Sequence, residues 1–452
     1  MQVINPATEE VSEIPETPLS AIPQQLEQAK EAQQSWRRLS AAERAAVLLP
    51  LADSLRSSQS DIARIIAEDM GKPLASGLAE VRRSAGGIEY LCRKAPEWLA
   101  PEISDAGSEA GFIEYAPLGV VGVITPWNGP VWLSTVGLLS SLLAGNAVLY
   151  KPSENSLRTG IELARRFQSL AGCPEGLVQL VAGGKSHGQA VVKSGVAMIS
   201  LVGSTKAGKD IMKTCAAHLK RVSLELGGLD SAIVLKDADI PATARKIVRI
   251  NCANSGQVCC SIKRVYVERE VYSEFLKEAV AESLRIRVGD PMEEVDMGPL
   301  AGPFQLRKVE AAVADAVQKG ARILTGGSRL DRKGFFYPPT IIAGVTHDMS
   351  LMNSEPFGPL LPVMPVDDWA EAVKWTNSTR YGLTGSIWTR DADLARTIAS
   401  QLDVGGVGFN AHGVPPLGAP WGGARESGLG RTRSKEGLRE FCNIKFVRIP
   451  VI

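Results

Sequence analysis

From residue 119 the chain changes rhythm, and that change limits the folds open to it. Short runs rich in Val, Ile and Leu recur: "VVGVIT" (120–125), "AVLYKP" (147–152), "LVQLVAGG" (177–184), "MISLVGS" (198–204) and "VSLELGG" (222–228). Helix-like segments separate most of them. Strands joined through helices lie parallel, because a parallel pair needs a long crossover connection. Such sheets take ligands at the carboxyl ends of their strands. A second alternating series follows residue 229, with "RVYVERE", the helix-like "VYSEFLKEAVAESLRI", "ARILTGG", "LPVMPV" and "LTGSIWTRD". Upstream, residues 20–100 carry two long helical patterns, "QQLEQAKEAQQSWRRL" and "AAERAAVLLPLADSLRSSQSDIARIIAEDMGK". Two strand-like pieces have no helix partner, "GFIEYAPLG" (111–119) and "FCNIKFVRIPVI" (441–452). Exposed edges of this kind are usually covered by another chain.

At 452 residues the chain has room for two or three domains. Its 50 basic and 49 acidic residues leave a net charge of +1, with no excess for nucleic acid or a membrane surface. The longest apolar stretch, "VWLSTVGLLSSLLAGNAVLY", is broken by Ser and Gly and reads as a buried helix running into a strand. The start, "MQVINPATEE", lacks the basic and apolar parts of a secretory signal. Seven cysteines without dense spacing argue against a disulfide framework and for a reducing, cytoplasmic setting. No CxxC occurs and the four histidines are scattered, so no metal site is expected.

"GSTKAGKD" (203–210) nearly matches a phosphate-cradling P-loop, but Asp210 stands where a hydroxyl must meet magnesium. What survives is a strand turning into a helix whose N-terminal N–H groups face a pyrophosphate. "NCANSGQVCCSIKR" (251–264) places Cys259 and Cys260 side by side after small and polar residues, a setting for an accessible thiolate. "SLELGG" sets Glu225 at a strand end before two glycines, where a carboxylate can act as a general base. "TPWNGP" holds Asn128 in a Pro-bracketed loop, where an amide can stabilise an oxyanion.

Taken in order, "TPWN", "YKPSE", "LVGSTKAG", "LELGG", "GQVC", "EPFGP", "GFNAH" and "PWGGARESGLGR" resemble the aldehyde dehydrogenase superfamily, from "INPATEE" to "IKFV". The resemblance implies an α/β fold in three parts. A Rossmann-like NAD-binding domain spans 1–110 and 120–228, an α/β catalytic domain 229–425, and a small β oligomerisation arm 111–119 and 437–452. It implies Cys259 as nucleophile, Glu225 as base and Asn128 as oxyanion donor. Thr125, Trp127, Lys151, Glu154, Gly203, Ser204, Gln305, Glu355 and Phe357 are the implied cofactor contacts. The implied reaction oxidises an aldehyde to a carboxylic acid with NAD(P), through a thiohemiacetal and a thioester, in a homodimer or homotetramer. Glu154 can accept from a ribose 2′-hydroxyl and repel a 2′-phosphate, which favours NAD over NADP.

The sequence departs from the family at Gly129, which follows "PWN" where an aromatic is common. Gly137 stands where many members carry a relay lysine, and Leu229–Asp230 and Leu201–Val202 replace the usual residues. The expected substrate pocket is lined by Trp132, Leu133, Val258, Cys260 and His412. The matched pocket phrases contain no arginine, which points to a neutral aldehyde. The alternatives are an NADP-preferring semialdehyde dehydrogenase and a catalytically silent binding or structural member.

Overall fold

The computed structural model describes residues 1–106 and 109–449, with the backbone alone for 105, 106, 109 and 110. Residues 107–108 and 450–452, which fall in the expected first domain and arm, lie outside the described residues. The longer helical pattern is cut where Pro50 and Ser58 interrupt it, giving helices Ala41–Leu48, Leu51–Ser57 and Gln59–Met70. Proline removes an N–H and clashes with the preceding turn. Gly71 then closes the last of these in the left-handed conformation at φ 81°. With helices Ile22–Trp36 and Leu74–Trp98, these pack on a six-stranded sheet around a core that includes Trp36, Val121, Leu139, Val148 and Met198.

That sheet runs Gly428–Leu429, Arg221–Glu225, Met198–Val202, Val120–Ile124, Ala147–Lys151, Val178–Leu180. Every pairing is parallel except that of Gly428–Leu429. From Val120–Ile124 the chain adds two strands on one side, then crosses to Met198–Val202 on the other. The switch leaves a crevice beyond the carboxyl ends of the two central strands.

A seven-stranded sheet forms a second layer, with all its strands between Asp230 and Phe409. Its order is Arg322–Thr325, Thr340–Ala343, Leu360–Val366, Ile262–Glu268, Asp230–Val234, Thr384–Trp388, Gly406–Phe409, and only the first pair is antiparallel. The two strands without helix partners pair with each other, from Cys442↔Pro117 to Ile449↔Ala110.

Three details differ from the sequence reading. Glu102–Ala106, expected within the first domain, is the third strand of this small sheet. The expected arm segment begins at 437, inside the helix Lys435–Arg439, and its strand starts only at Cys442. Gly428–Leu429 returns the chain to the first sheet after the second is complete.

In the second layer, His347 stacks on Trp375 (centroids 3.7 Å) and Tyr266 (5.9 Å), and neither ring nitrogen has a hydrogen-bond partner. Burial, reinforced by the Arg264 charge, lowers its pKa to about 4 from 6.5. Between these values the unfolded chain binds a proton that the folded chain refuses. The associated stability is therefore complete above pH 6.5 and lost as pH falls toward 4. Melting temperatures taken from pH 7 to 4 are expected to fall more steeply for the wild type than for His347→Phe, which has no proton to gain.

Candidate active site

Four strands of the first sheet end at one cleft. Val120–Ile124 delivers Thr125, Trp127 and Asn128; Ala147–Lys151 delivers Lys151 and Glu154; Met198–Val202 delivers Gly203 and Ser204; Arg221–Glu225 delivers Leu226 and Gly227. Gln305, Glu355 and Phe357 close it from the second layer, in a cavity of about 380 Å³. All nine expected cofactor residues line this space. An adjoining cavity of about 400 Å³ continues past Lys151, Glu154 and Ser204 to Lys185 and Ile211.

An elongated cleft of this kind fits a nicotinamide dinucleotide. Ser204 caps the helix Thr205–Ala216, accepting from the Ala207 N–H at 3.2 Å, so a helix N-terminus faces the cleft. Trp127 meets Phe357 edge-on at 5.6 Å and forms an aromatic wall. Lys151 and Glu154, 3.1 Å apart, flank the junction of the two cavities. The P-loop reading fails on geometry too, since Asp210 pairs with Lys206 at 3.0 Å. A Cβ at Gly208 would fall 2.6 Å from Leu226, so that glycine serves helix–strand packing. Gln305 spends its side-chain N–H groups on the carbonyls of Pro356 (2.9 Å) and Phe357 (2.7 Å), holding the Glu355 loop.

The thiol-bearing loop runs into the amino end of Ile262–Glu268. Asn254, Ser255 and Gly256 are all left-handed, at φ 52°, 58° and 72°. Two of the three carry a Cβ, and such conformations persist only where the surroundings enforce them. Ser255 donates to the Gly298 carbonyl at 2.8 Å, and the buried Gln257 accepts from the Ala301 N–H at 2.8 Å. At Gly256 a Cβ would sit 2.1 Å from the Gly358 carbonyl oxygen, so only glycine lets this loop touch the Glu355–Phe357 loop. Lys263, itself buried, donates to the carbonyls of Val258 (2.9 Å) and Cys259 (2.5 Å) and lies 3.4 Å from Glu355.

Asn128 faces this loop, its amide donating to the Gln257 carbonyl at 3.0 Å. Lys72 donates to the Asn128 backbone carbonyl at 2.9 Å and pairs with Glu80. Glu80 in turn accepts from the N–H groups of Val131 (2.9 Å) and Trp132 (3.0 Å), which fixes the "PWN" loop from the first-domain helices. Glu225 is buried and accepts from Trp421 Nε1 at 2.7 Å and from the Thr432 hydroxyl. Its charge reaches Cys259 and helps to raise that thiol's pKa. The two thiols titrate as a unit. The hydrogen bond between them holds the proton on Cys259, whose pKa burial raises further, and lowers the pKa of Cys260, while Lys263 favours the thiolate at both.

A second cavity, of about 320 Å³, meets the cleft at Asn128, Leu133 and Cys259, which line both. Trp132, Val258 and Cys260 form its walls, as the sequence predicts. His412 does not. Its ring is fully buried behind the loop that carries Cys259 and Cys260, with Nε2 3.0 Å from the Cys260 carbonyl and 3.8 Å from Asp230, and Val414 takes the wall position instead. Trp421, Arg83 and Arg433 also line the cavity, although the expected pocket held no arginine.

The aldehyde dehydrogenase family model matches residues 1–447. The chain belongs to the aldehyde dehydrogenase family. It is 36% identical to the lactaldehyde dehydrogenase of Escherichia coli over 453 residues, covering 99% of this chain and 94% of that one. It is 35% identical to the NAD(P)-dependent succinate semialdehyde dehydrogenase of the same bacterium, covering 98% and 96%. A crystal structure of the E. coli lactaldehyde dehydrogenase superposes with a TM-score of 0.96 at 35% identity, covering 99% of this chain and 95% of that chain. This aldehyde dehydrogenase is therefore an NAD(P)-dependent oxidoreductase of α/β fold. No helix among its described residues is long and apolar enough to cross a membrane, and those residues hold no cluster of three or more metal-ligating side chains. Its two glycine departures have distinct surroundings. A Cβ at Gly129 would lie 3.2 Å from Leu133, and one at Gly137 2.9 Å from Val123, where the helix Trp132–Leu143 rests on the central strand. The Glu225 carboxylate is held by Trp421 and Thr432.

Proposed function

We propose that this aldehyde dehydrogenase works by covalent catalysis at Cys259 and releases a free carboxylic acid. The reading rests on one observation: Cys259 and Asn128 line both cavities, at the point where they meet. A thiolate there attacks an aldehyde carbon entering from the cavity walled by Trp132. The Asn128 amide and the Cys259 backbone N–H stabilise the resulting oxyanion. A nicotinamide dinucleotide held in the cleft by Lys151, Glu154 and Ser204 would supply the hydride acceptor, and loss of hydride from the thiohemiacetal carbon would leave a thioester on Cys259. Glu225, oriented by Trp421 and Thr432, removes a proton from the water that hydrolyses it.

Lysines in the same cavity as Glu154, Lys193 and Lys206 among them, oppose the preference that this carboxylate gives for NAD. Lys151 pairs with that carboxylate, and Lys185 adds a cation to the same cavity. The proposed enzyme accepts NADP and prefers NAD. The test is reduced-cofactor absorbance with a panel of aldehydes and either cofactor. Absence of signal with every aldehyde would favour a silent member and overturn the reading. Glu154→Gln is expected to raise the NADP-to-NAD ratio of kcat/KM by about tenfold, equivalent to removing one unfavourable charge contact of ~1.4 kcal/mol. An unchanged ratio would place the cofactor choice elsewhere.

The small three-stranded sheet exposes Ile103, Ile444, Phe446 and Ile449. Apolar residues on an open sheet support its proposed role as the arm that joins copies of the chain.

A further inference from the structure

The second cavity holds more positive charge than the chain itself balances. Arg433 is only 3% exposed and lines the wall, and its Nε and Nη1 are buried without a hydrogen-bond partner. Its guanidinium faces the rings of Trp421 (4.9 Å) and Trp132 (5.3 Å), and among the described residues no carboxylate lies within ion-pair distance. Arg83 stacks on the other neighbour of the cavity, 4.5 Å from the Trp132 ring, and is likewise without a carboxylate partner. Trp132 is 5% exposed and its Nε1–H also lacks a partner. The only other charges on the walls, Lys72 and Glu80, neutralise each other.

A buried unpaired guanidinium is costly unless something compensates it, and an indole N–H left unpaired adds to that cost. Arg433 is moreover held in the left-handed conformation at φ 66°, which a residue with a Cβ adopts only under constraint. Such costs gather at ligand sites, and an anion that also accepts hydrogen bonds would offset them.

We propose that Arg433, with Arg83 at the cavity's outer face, binds a carboxylate on the tail of the aldehyde, so that the substrate is a short-chain aldehyde acid. This rests on the reading of Cys259 as nucleophile, since it places the reacting aldehyde at the junction and its tail toward the arginines. One deeply buried guanidinium balances one carboxylate charge, and a cavity of about 320 Å³ is of the size that holds a small molecule. Arg433 touches the tail of the substrate and takes no part in the bond changes.

The test compares kcat/KM for 4-oxobutanoate, its methyl ester and glyceraldehyde 3-phosphate, in the wild type, Arg433→Met and Arg433→Lys. The wild type is expected to favour the carboxylate over the ester by about 10- to 100-fold, the usual worth of a charged hydrogen-bonded contact. Arg433→Met is expected to collapse that ratio, mainly through KM, and Arg433→Lys to recover part of it. Equal losses for acid and ester in Arg433→Met would overturn the proposal and make the arginine structural. A wild-type preference for the ester or the phosphate would overturn it as well. If Arg433→Met fails to fold, Arg83→Gln and the competitive inhibition of wild type by succinate, with the monomethyl ester of succinate as control, carry the same comparison. Failure of every aldehyde to turn over in the wild type would instead sink the underlying catalytic reading.

Discussion

Replacing Cys259 by Ala is expected to abolish aldehyde oxidation, lowering kcat/KM by about 10⁴-fold or more, as loss of a covalent nucleophile does. Cys260→Ala is expected to retain activity within about tenfold. The half-buried Cys259 and the buried Cys260 lie side by side, and each alters the other's protonation, so proximity alone does not separate them. The separation comes from the cavities. Cys259 lines both the cofactor cleft and the second cavity, whereas Cys260 lines only the second. Initial rates with saturating NAD, together with a folded-state check by melting temperature, decide the matter. A dead Cys260→Ala beside an active Cys259→Ala would reverse the assignment.

The second large effect concerns Glu225, the proposed base. Glu225→Gln keeps an acceptor for Trp421 and Thr432 but cannot take a proton, so it is expected to arrest the cycle after hydride transfer. Stopped-flow absorbance would then show one equivalent of reduced cofactor per subunit in a burst. Steady-state turnover would fall about 10²- to 10⁴-fold, the usual contribution of a positioned base. Mass spectrometry of the quenched protein is expected to find an acyl group on the peptide carrying Cys259. Slow formation of reduced cofactor with no burst would mean that Glu225 acts before the hydride leaves, as the base for the thiol.

Much of the cofactor cleft was readable from the sequence because its residues follow strand ends. Thr125, Lys151, Gly203 and Leu226 each sit where an apolar run stops, and a parallel sheet gathers such ends in one place. The second cavity was less readable. Arg83 comes from a long helix whose pattern does not say which face meets the site, and Arg433 lies two residues past the last family phrase. His412 stands in the expected loop, but its ring turns toward Asp230 and the Cys260 carbonyl, a choice made by side-chain packing that spacing does not encode. Gly428–Leu429 is a pair of residues, too brief to show any alternation.

The backbone contact at Gly256 has a mechanical consequence. Two loops that press together through a carbonyl and a bare Cα have no flexible side chain between them to absorb a shift. Lys263 adds an electrostatic strut between the Cys259 carbonyl and the Glu355 side chain. The Glu355–Gly358 segment and the segment that carries the thiols are therefore in direct backbone contact, so a displacement of one presses on the other. A ligand that shifts the Glu355 loop is therefore expected to shift the backbone that carries Cys259 as well.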